Sequence, residues 1–321
     1  MPIRTWQSAL DPAGPQAAHI AQLGWLLFIV TTVIGLLVLG ALARSLFLGH
    51  RRALARPTVD DPRLEQRLGR GVAAALVITV LVLFGILVSS VWTSRLLASL
   101  EQPRAVTVEV YGHQFWWEMQ YDDAIPQRRV VTANELHIPV GRPVVFRVTS
   151  RDVVHSFWVP MLHGKRDLLP GYTTALWLQA DRPGVFQGQC AEFCGRQHAH
   201  MAFDVVAESN DDFERWLEQQ RRPAQEPSDG KTQRGRDLFL SHRCSTCHNV
   251  SGTSANGLVG PDLTHVASRP TIGAGTLPMT HQALMRWIAN PQADKPGNQM
   301  PPNPLPVEDL DALAAYLETL H

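Results

Sequence analysis

Two stretches of this 321-residue chain, Leu23 to Ala43 and Gly71 to Ser94, contain no charged side chain. Each is long enough to cross the hydrocarbon core of a bilayer as a helix, for which roughly 20 apolar residues suffice. Both are therefore predicted to span a membrane, and neither suits the core of a soluble domain. The connection between them carries Arg44, Arg51, Arg52, Arg56, Arg63, Arg67 and Arg70 against Asp60, Asp61 and Glu65. Arg4 is the only basic residue before the first stretch. The positive-inside rule assigns that connection to the cytoplasm and both termini to the outer or periplasmic side. The first stretch is too long for the apolar part of a signal peptide and has no basic run directly before it, so it is expected to remain in the membrane. A formal net charge of zero gives no indication of nucleic-acid binding.

After the second span the pattern changes to short alternating runs, "AVTVEVYGHQFWWEMQY", "ELHIPVGRPVVFRVTS" and "TTALWLQADRPGVFQGQC". Apolar residues at every second position, broken by turn residues, predict an antiparallel β-sandwich or barrel over residues 104–207. "SNDDFERWLEQQRR" then predicts a short helix capped by Ser209 or Asn210. "PAQEPSDGK" cannot bury a core of its own and is expected to be a flexible or extended linker. From residue 232 to 321 the pattern is helical again, closing with "VEDLDALAAYLETL".

Four cysteines in an exported region would ordinarily suggest disulfides. Their spacing suggests otherwise. Cys244, Cys247 and His248 form Cys-x-x-Cys-His, in which two thiols attach a haem and the adjacent imidazole binds its iron. A sixth ligand that favours ferrous iron would be a thioether. Met279, Met285 and Met300 are the candidates; Met285 lies in a predicted helix, and Met300 in the Pro-rich loop "GNQMPPNP". The second pair, Cys190 and Cys194, shares "GQCAEFCGRQHAHM" with His198 and Met201, and His155 stands on an earlier predicted strand. Thiolates, imidazoles and a weak thioether select copper in an electron-transfer site, with structural zinc as the alternative.

The two-span start, "YGHQFWW", "DVVHSFWVP", "GKRDLLPG" and "QCAEFCGRQHAHM" together resemble subunit II of the haem-copper cytochrome c oxidases, over nearly the whole chain. Residues 231–321 resemble a class I cytochrome c. The resemblance implies a multidomain membrane protein: an outer tail (1–22), a two-helix transmembrane hairpin (23–95), a cupredoxin-like β-sandwich (104–207), a helix and linker (208–231), and an all-α cytochrome c domain (232–321). It also implies a binuclear CuA centre, with Cys190 and Cys194 bridging, His155 and His198 as terminal ligands, Met201 as a weak ligand, and the Glu192 carbonyl near one copper. The Glu192 carboxylate is expected to reach a magnesium ion shared with subunit I. On the haem, Met300 is implied as axial ligand, and the Pro261 carbonyl of "VGPDL" as the acceptor that orients His248.

The function so implied is electron transfer from haem c through CuA to subunit I, where oxygen is reduced and protons are pumped. The implied partners are subunits I and III, an external cytochrome or quinol-oxidising donor, and membrane lipid in the plasma membrane. Two other readings fit parts of the pattern: a CuA-bearing nitric oxide or nitrous oxide reductase subunit, and a stand-alone membrane carrier. The match departs at one point. Phe115 stands where many members have the Trp that receives the electron, with Trp116 and Trp117 beside it; Trp117 also suits a packed strand. Glu65 stands either at a proton-path entry or in a solvated loop. His113, His137, His163 and His200 lack ligand spacing and are expected to be surface or hydrogen-bonding residues.

Overall fold

The computed structural model describes residues 7–52, 62–98 and 105–321, in two compact units. Arg4, Arg56, Asp60 and Asp61, which help orient the predicted spans, lie outside the described residues, as does position 104.

In the first unit, α1 (Pro15–Arg52) and α2 (Pro62–Ala98) extend beyond the uncharged runs at both ends. Both are long and apolar enough to cross a membrane. Their large side chains face outward, with Leu37 68 % and Phe84 63 % exposed, which water would oppose and lipid would not. Thr31, Thr79 and Ser89 fold their hydroxyls back onto the carbonyls of Leu27, Ala75 and Gly85 at 2.8–2.9 Å. Hydroxyls among apolar neighbours are satisfied in this way.

The second unit comprises two cores. One is a sandwich of two five-stranded sheets. Its strands are β1 (Val106–His113), β2 (Trp116–Tyr121), β3 (Val130–Ala133), β4 (Glu135–Pro139) and β5 (Val144–Ser150), followed by β6 (His155–Trp158), β7 (Arg166–Leu168), β8 (Thr174–Leu178), β9 (Gly184–Cys190) and β10 (Ala202–Glu208). The sheet orders are β3-β2-β1-β5-β8 and β4-β10-β9-β6-β7. Most pairings are antiparallel as expected, but β1 pairs with β5, and β4 with β10, in parallel. Period-2 alternation reports which face is buried and carries no information about a neighbour's direction. Trp117, Phe146, Phe157 and Phe186 fill the space between the sheets. The segment before α1, expected as a tail, is pinned to this sandwich: the Ala13 amide donates to the Met161 carbonyl (2.7 Å), and the Asp181 amide to the Ala13 carbonyl (2.8 Å).

Ser209 caps α3 (Asn210–Gln220) by accepting from the Asp212 amide. The linker that follows is extended but not loose. The Ala224 amide donates to the Ser251 carbonyl at 2.9 Å, Glu226 pairs with Arg236, and the buried His265 donates from Nε2 to the carbonyls of Gln220 and Arg222. Its Pro-rich composition excludes a core of its own, and it lies instead against the next one.

That second core is helical: α4 (Gly230–Ser241), α5 (Cys244–Cys247), a two-residue ribbon of β11 (Thr271–Ile272) and β12 (Leu277–Pro278), α6 (His281–Ala289), α7 (Pro291–Asp294) and α8 (Val307–Leu317). α4 and α8 cross so closely that a Cβ on Gly235 would lie 2.0 Å from the Ala312 carbonyl oxygen, so only glycine fits there. Phe239, Leu284, Ile288, Leu313 and Tyr316 form its centre.

Candidate metal and haem sites

Pairing of β6 with β9 places Phe157 opposite Cys190 and so brings His155 beside the end of β9. The chain then loops through Cys194, makes a 3₁₀ turn at His198–His200 and enters β10 after Met201. Five soft donors face one another. Cys190 Sγ lies 3.8 Å from His155 Nδ1 and 3.8 Å from Cys194 Sγ, while Cys194 Sγ lies 3.7 Å from His198 Nδ1 and 3.9 Å from Met201 Sδ. The Glu192 carbonyl is 3.2 Å from Cys190 Sγ. His155, both cysteines and Met201 are buried, and His198 is half-buried. Two thiols so close cannot both ionise without repulsion. The contact with Cys194, aided by His155 against the cost of burial, pushes the Cys190 thiol well below its usual range, and the same contact pushes Cys194 up. A cation held between them would remove that conflict, and this donor set is copper-like.

The surroundings hold these ligands in place. Asp152 Oδ1 accepts from His155 Nε2 at 2.8 Å, leaving Nδ1 for the site, and Asp152 Oδ2 accepts from the Gln114 amide at 2.6 Å. Gln114 Nε2 donates to the Cys194 carbonyl at 2.6 Å, and Trp117 Nε1 to the Met201 carbonyl at 3.3 Å. Trp117 is thus both fully buried core and a support of the ligand loop. Gly112 backs His155 so closely that a Cβ would lie 2.7 Å from its ring. The Glu192 carboxylate pairs with Lys165 at 3.2 Å.

Cys244, Cys247, His248 and Met300 line a single cavity of about 500 Å³, walled by Leu284, Trp287, Ile288 and Leu313. His248 Nδ1 donates to the Pro261 carbonyl at 2.7 Å, which leaves Nε2 free to face a metal. Burial pushes the imidazole below its usual pKa range, keeping it in the neutral form that a metal requires. Gly260 lies against that ring, where a Cβ would approach to 2.6 Å. Asn298 and Gln292 hold the Met300 backbone by hydrogen bonds of 2.8 and 2.9 Å. Met279 and Met285 pack against the helical core and do not line the cavity. Two thiols, a neutral imidazole and a thioether on apolar walls fit a covalently held haem.

The same cavity is also lined by Gln114, Phe115 and Trp116 of the sandwich, so the aromatic run faces the haem site. Phe115 is buried, and Trp116 stacks on His113 with ring centres 4.2 Å apart. The four histidines without ligand spacing have other bonds: His113 to Glu118, His137 to Glu208 and Glu135, His163 to the Gly164 carbonyl, and His200 to Gln197. Glu65 is an exposed residue in the first turn of α2. Asp152, Gln114 and Lys295 escaped the sequence reading. Asp152 had a local signal, an acid three residues before a ligand histidine; Lys295 had none.

Known proteins resemble both parts of this chain. Residues 124–209 match the family described as cytochrome c oxidase subunit II, periplasmic domain, and residues 232–321 match cytochrome c. The chain is 36 % identical to cytochrome c oxidase subunit 2 of Alkalihalophilus pseudofirmus over 98 % of its own length and 90 % of that protein. It is 32 % identical to cytochrome c oxidase subunit 2 of Bacillus sp. (strain PS3), covering 76 % of this chain and 72 % of that one. The crystal structure of the periplasmic domain of subunit II of cytochrome oxidase (CoxB) of Bradyrhizobium japonicum is 29 % identical and covers 37 % of this chain and 96 % of that one, with a TM-score of 0.35. With its two apolar N-terminal helices, its β-sandwich and its C-terminal cytochrome c domain, the chain belongs to the cytochrome c oxidase subunit 2 family.

Proposed function

We propose that this chain is the electron-transfer subunit of a respiratory cytochrome c oxidase, passing electrons from haem c through a binuclear CuA centre to subunit I. The observation that carries the reading is the convergence of five soft donors, four of them buried, beside a cavity that joins Cys244, Cys247, His248 and Met300 to Gln114, Phe115 and Trp116. Bound there, the copper pair and the haem supply one-electron chemistry. Cys190, Cys194, His155 and His198 would hold the copper pair, with Met201 and the Glu192 carbonyl as weaker donors. Cys244 and Cys247 would attach the haem, and His248 and Met300 would bind its iron. The chain's own part is to keep both sites rigid and dry, so that little reorganises when charge arrives.

The Glu192 carboxylate, at the surface beside Lys165, would be the group that meets a magnesium ion shared with subunit I. Oxygen reduction and proton translocation belong to subunit I, with subunit III alongside, and an external cytochrome or quinol-oxidising complex is the donor. The arginine-rich connection between α1 and α2 supports an orientation with both cofactor domains on the outer side of the plasma membrane. Metal analysis of the detergent-purified complex tests the proposal. Two coppers in this chain, beyond any copper held by subunit I, and one covalent haem are expected, together with a larger haem-bearing subunit that reduces oxygen; zinc at the cysteine pair after copper reconstitution would sink it.

A further inference from the structure

Lys295 lies in "ADKPGNQ", a stretch whose composition suits a solvated loop, yet it is only 2 % exposed. Its Nζ donates to three carbonyls: Phe115 at 2.9 Å, His200 at 2.7 Å and Gly273 at 2.6 Å. An ammonium has three donors, and all three are used. Two of the acceptors belong to the sandwich and one to the haem unit. Phe115 follows Gln114, whose side chain holds the Cys194 carbonyl, and His200 sits between His198 and Met201 in the ligand loop. Phe115 and Gly273 also line the haem cavity, as Lys295 itself does. Bonds to neighbouring loops continue the seam: Gln197 Nε2 donates to the Pro296 carbonyl at 2.9 Å, and the Ala202 amide to the Ala274 carbonyl at 3.3 Å.

From this arrangement we infer that Lys295 is a positioning residue for internal electron transfer, bolting the copper-ligand loop and the β1–β2 turn at Phe115 to the rim of the haem cavity. The inference rests on the function proposed above. A buried cation on three carbonyls is directional and strong, and without it those oxygens would face one another with no donor between them. Electron transfer between fixed centres depends steeply on their separation, so a residue that fixes the seam also governs the rate. An aliphatic side chain of similar length would fill the space but leave the carbonyls unpaired.

The test compares the full chain, in its membrane complex, with its Lys295→Met variant. Hydrogen exchange is read by mass spectrometry over residues 196–202, 271–276 and 295–299, and haem-to-copper transfer is followed after flash reduction. Lys295→Met should exchange faster by at least about tenfold in all three segments and slow the internal transfer by a similar factor, since a charge-assisted bond is worth more than one decade. The copper and haem bands should stay in place. Parent-like exchange and rate in the variant overturn the inference. Should the variant fail to assemble, the parent protein decides: segments 196–202 and 271–276 must exchange far more slowly than residues 223–228, and equal rates refute a bolted seam. Copper and haem contents are measured on the same samples. Their absence from the parent would count against the proposed function, whereas their presence with an open seam counts against Lys295 alone.

Discussion

Replacing Asp152 by Asn changes one oxygen to an amide nitrogen and almost nothing in volume, so its effect can be worked out from the bonds that Asp152 makes. Oδ1 accepts from His155 Nε2 (2.8 Å) and the Val153 amide (2.6 Å), and Oδ2 accepts from the Gln114 amide (2.6 Å). Burial would raise this carboxyl's pKa, but those three donors and the charge of His155 win and hold it below the usual range. An Asn side chain must point its amide group either at Gln114 or at His155 and Val153. In both rotamers a donor meets a donor. Leaving one buried donor unsatisfied costs about 1–3 kcal/mol. Seen from the metal, loss of the carboxylate that orients a ligand histidine lowers affinity about 10–100-fold, or about 1.4–2.7 kcal/mol. The two routes agree in size. The assay is competitive copper titration of the copper-free chain against a chelator. Asp152→Asn should weaken binding within that range while the haem spectrum stays unchanged. Affinity within about twofold of the parent would refute the claim that Asp152 holds His155 in its binding orientation.

Met300→Ala should lower the haem potential and remove the thioether-to-iron absorption band, while Met279→Ala, which lies off the cavity, should do neither. Gly235→Ala places a methyl 2.0 Å from the Ala312 carbonyl and should destabilise the haem unit by at least about 1–3 kcal/mol in denaturant melts, sparing the copper site. Burial lowers the His137 pKa, but bonds to Glu135 and Glu208 outweigh it and raise the value overall. Its charged form therefore stabilises the sandwich fully below about pH 6.5, and this contribution fades as pH rises through the raised folded value. His137→Gln should flatten that part of the stability-versus-pH curve in urea melts; an unchanged slope would assign it to other groups. Protease added outside intact spheroplasts should reach and cut the cofactor domains, yielding a haem-bearing piece on denaturing gels, and cleavage only after lysis would reverse the orientation.

How much of this could be read from the sequence depended on how local the cause was. Cys-x-x-Cys-His and the run from Cys190 to Met201 are short enough that spacing alone limits the chemistry. The uncharged spans likewise carry their signal within themselves. His155 is different: only the pairing of β6 with β9 brings it to Cys190, and alternation in each strand says nothing about which strands pair. Resemblance supplied what spacing could not. It implied the carbonyls of Pro261 and Glu192, but beyond its reach were the three that Lys295 holds, since every residue offers a carbonyl and no pattern marks these. The linker shows the same limit, since its composition excludes a core of its own but cannot reveal that His265, a solitary histidine 43 residues from Arg222, holds its entry. With the linker docked and Lys295 at the seam, the cytochrome is not a partner that searches for the copper loop at the end of a tether. Transfer between the two sites should then depend on fixed geometry and vary little with ionic strength, whereas an external donor still meets the chain by diffusion and remains sensitive to salt.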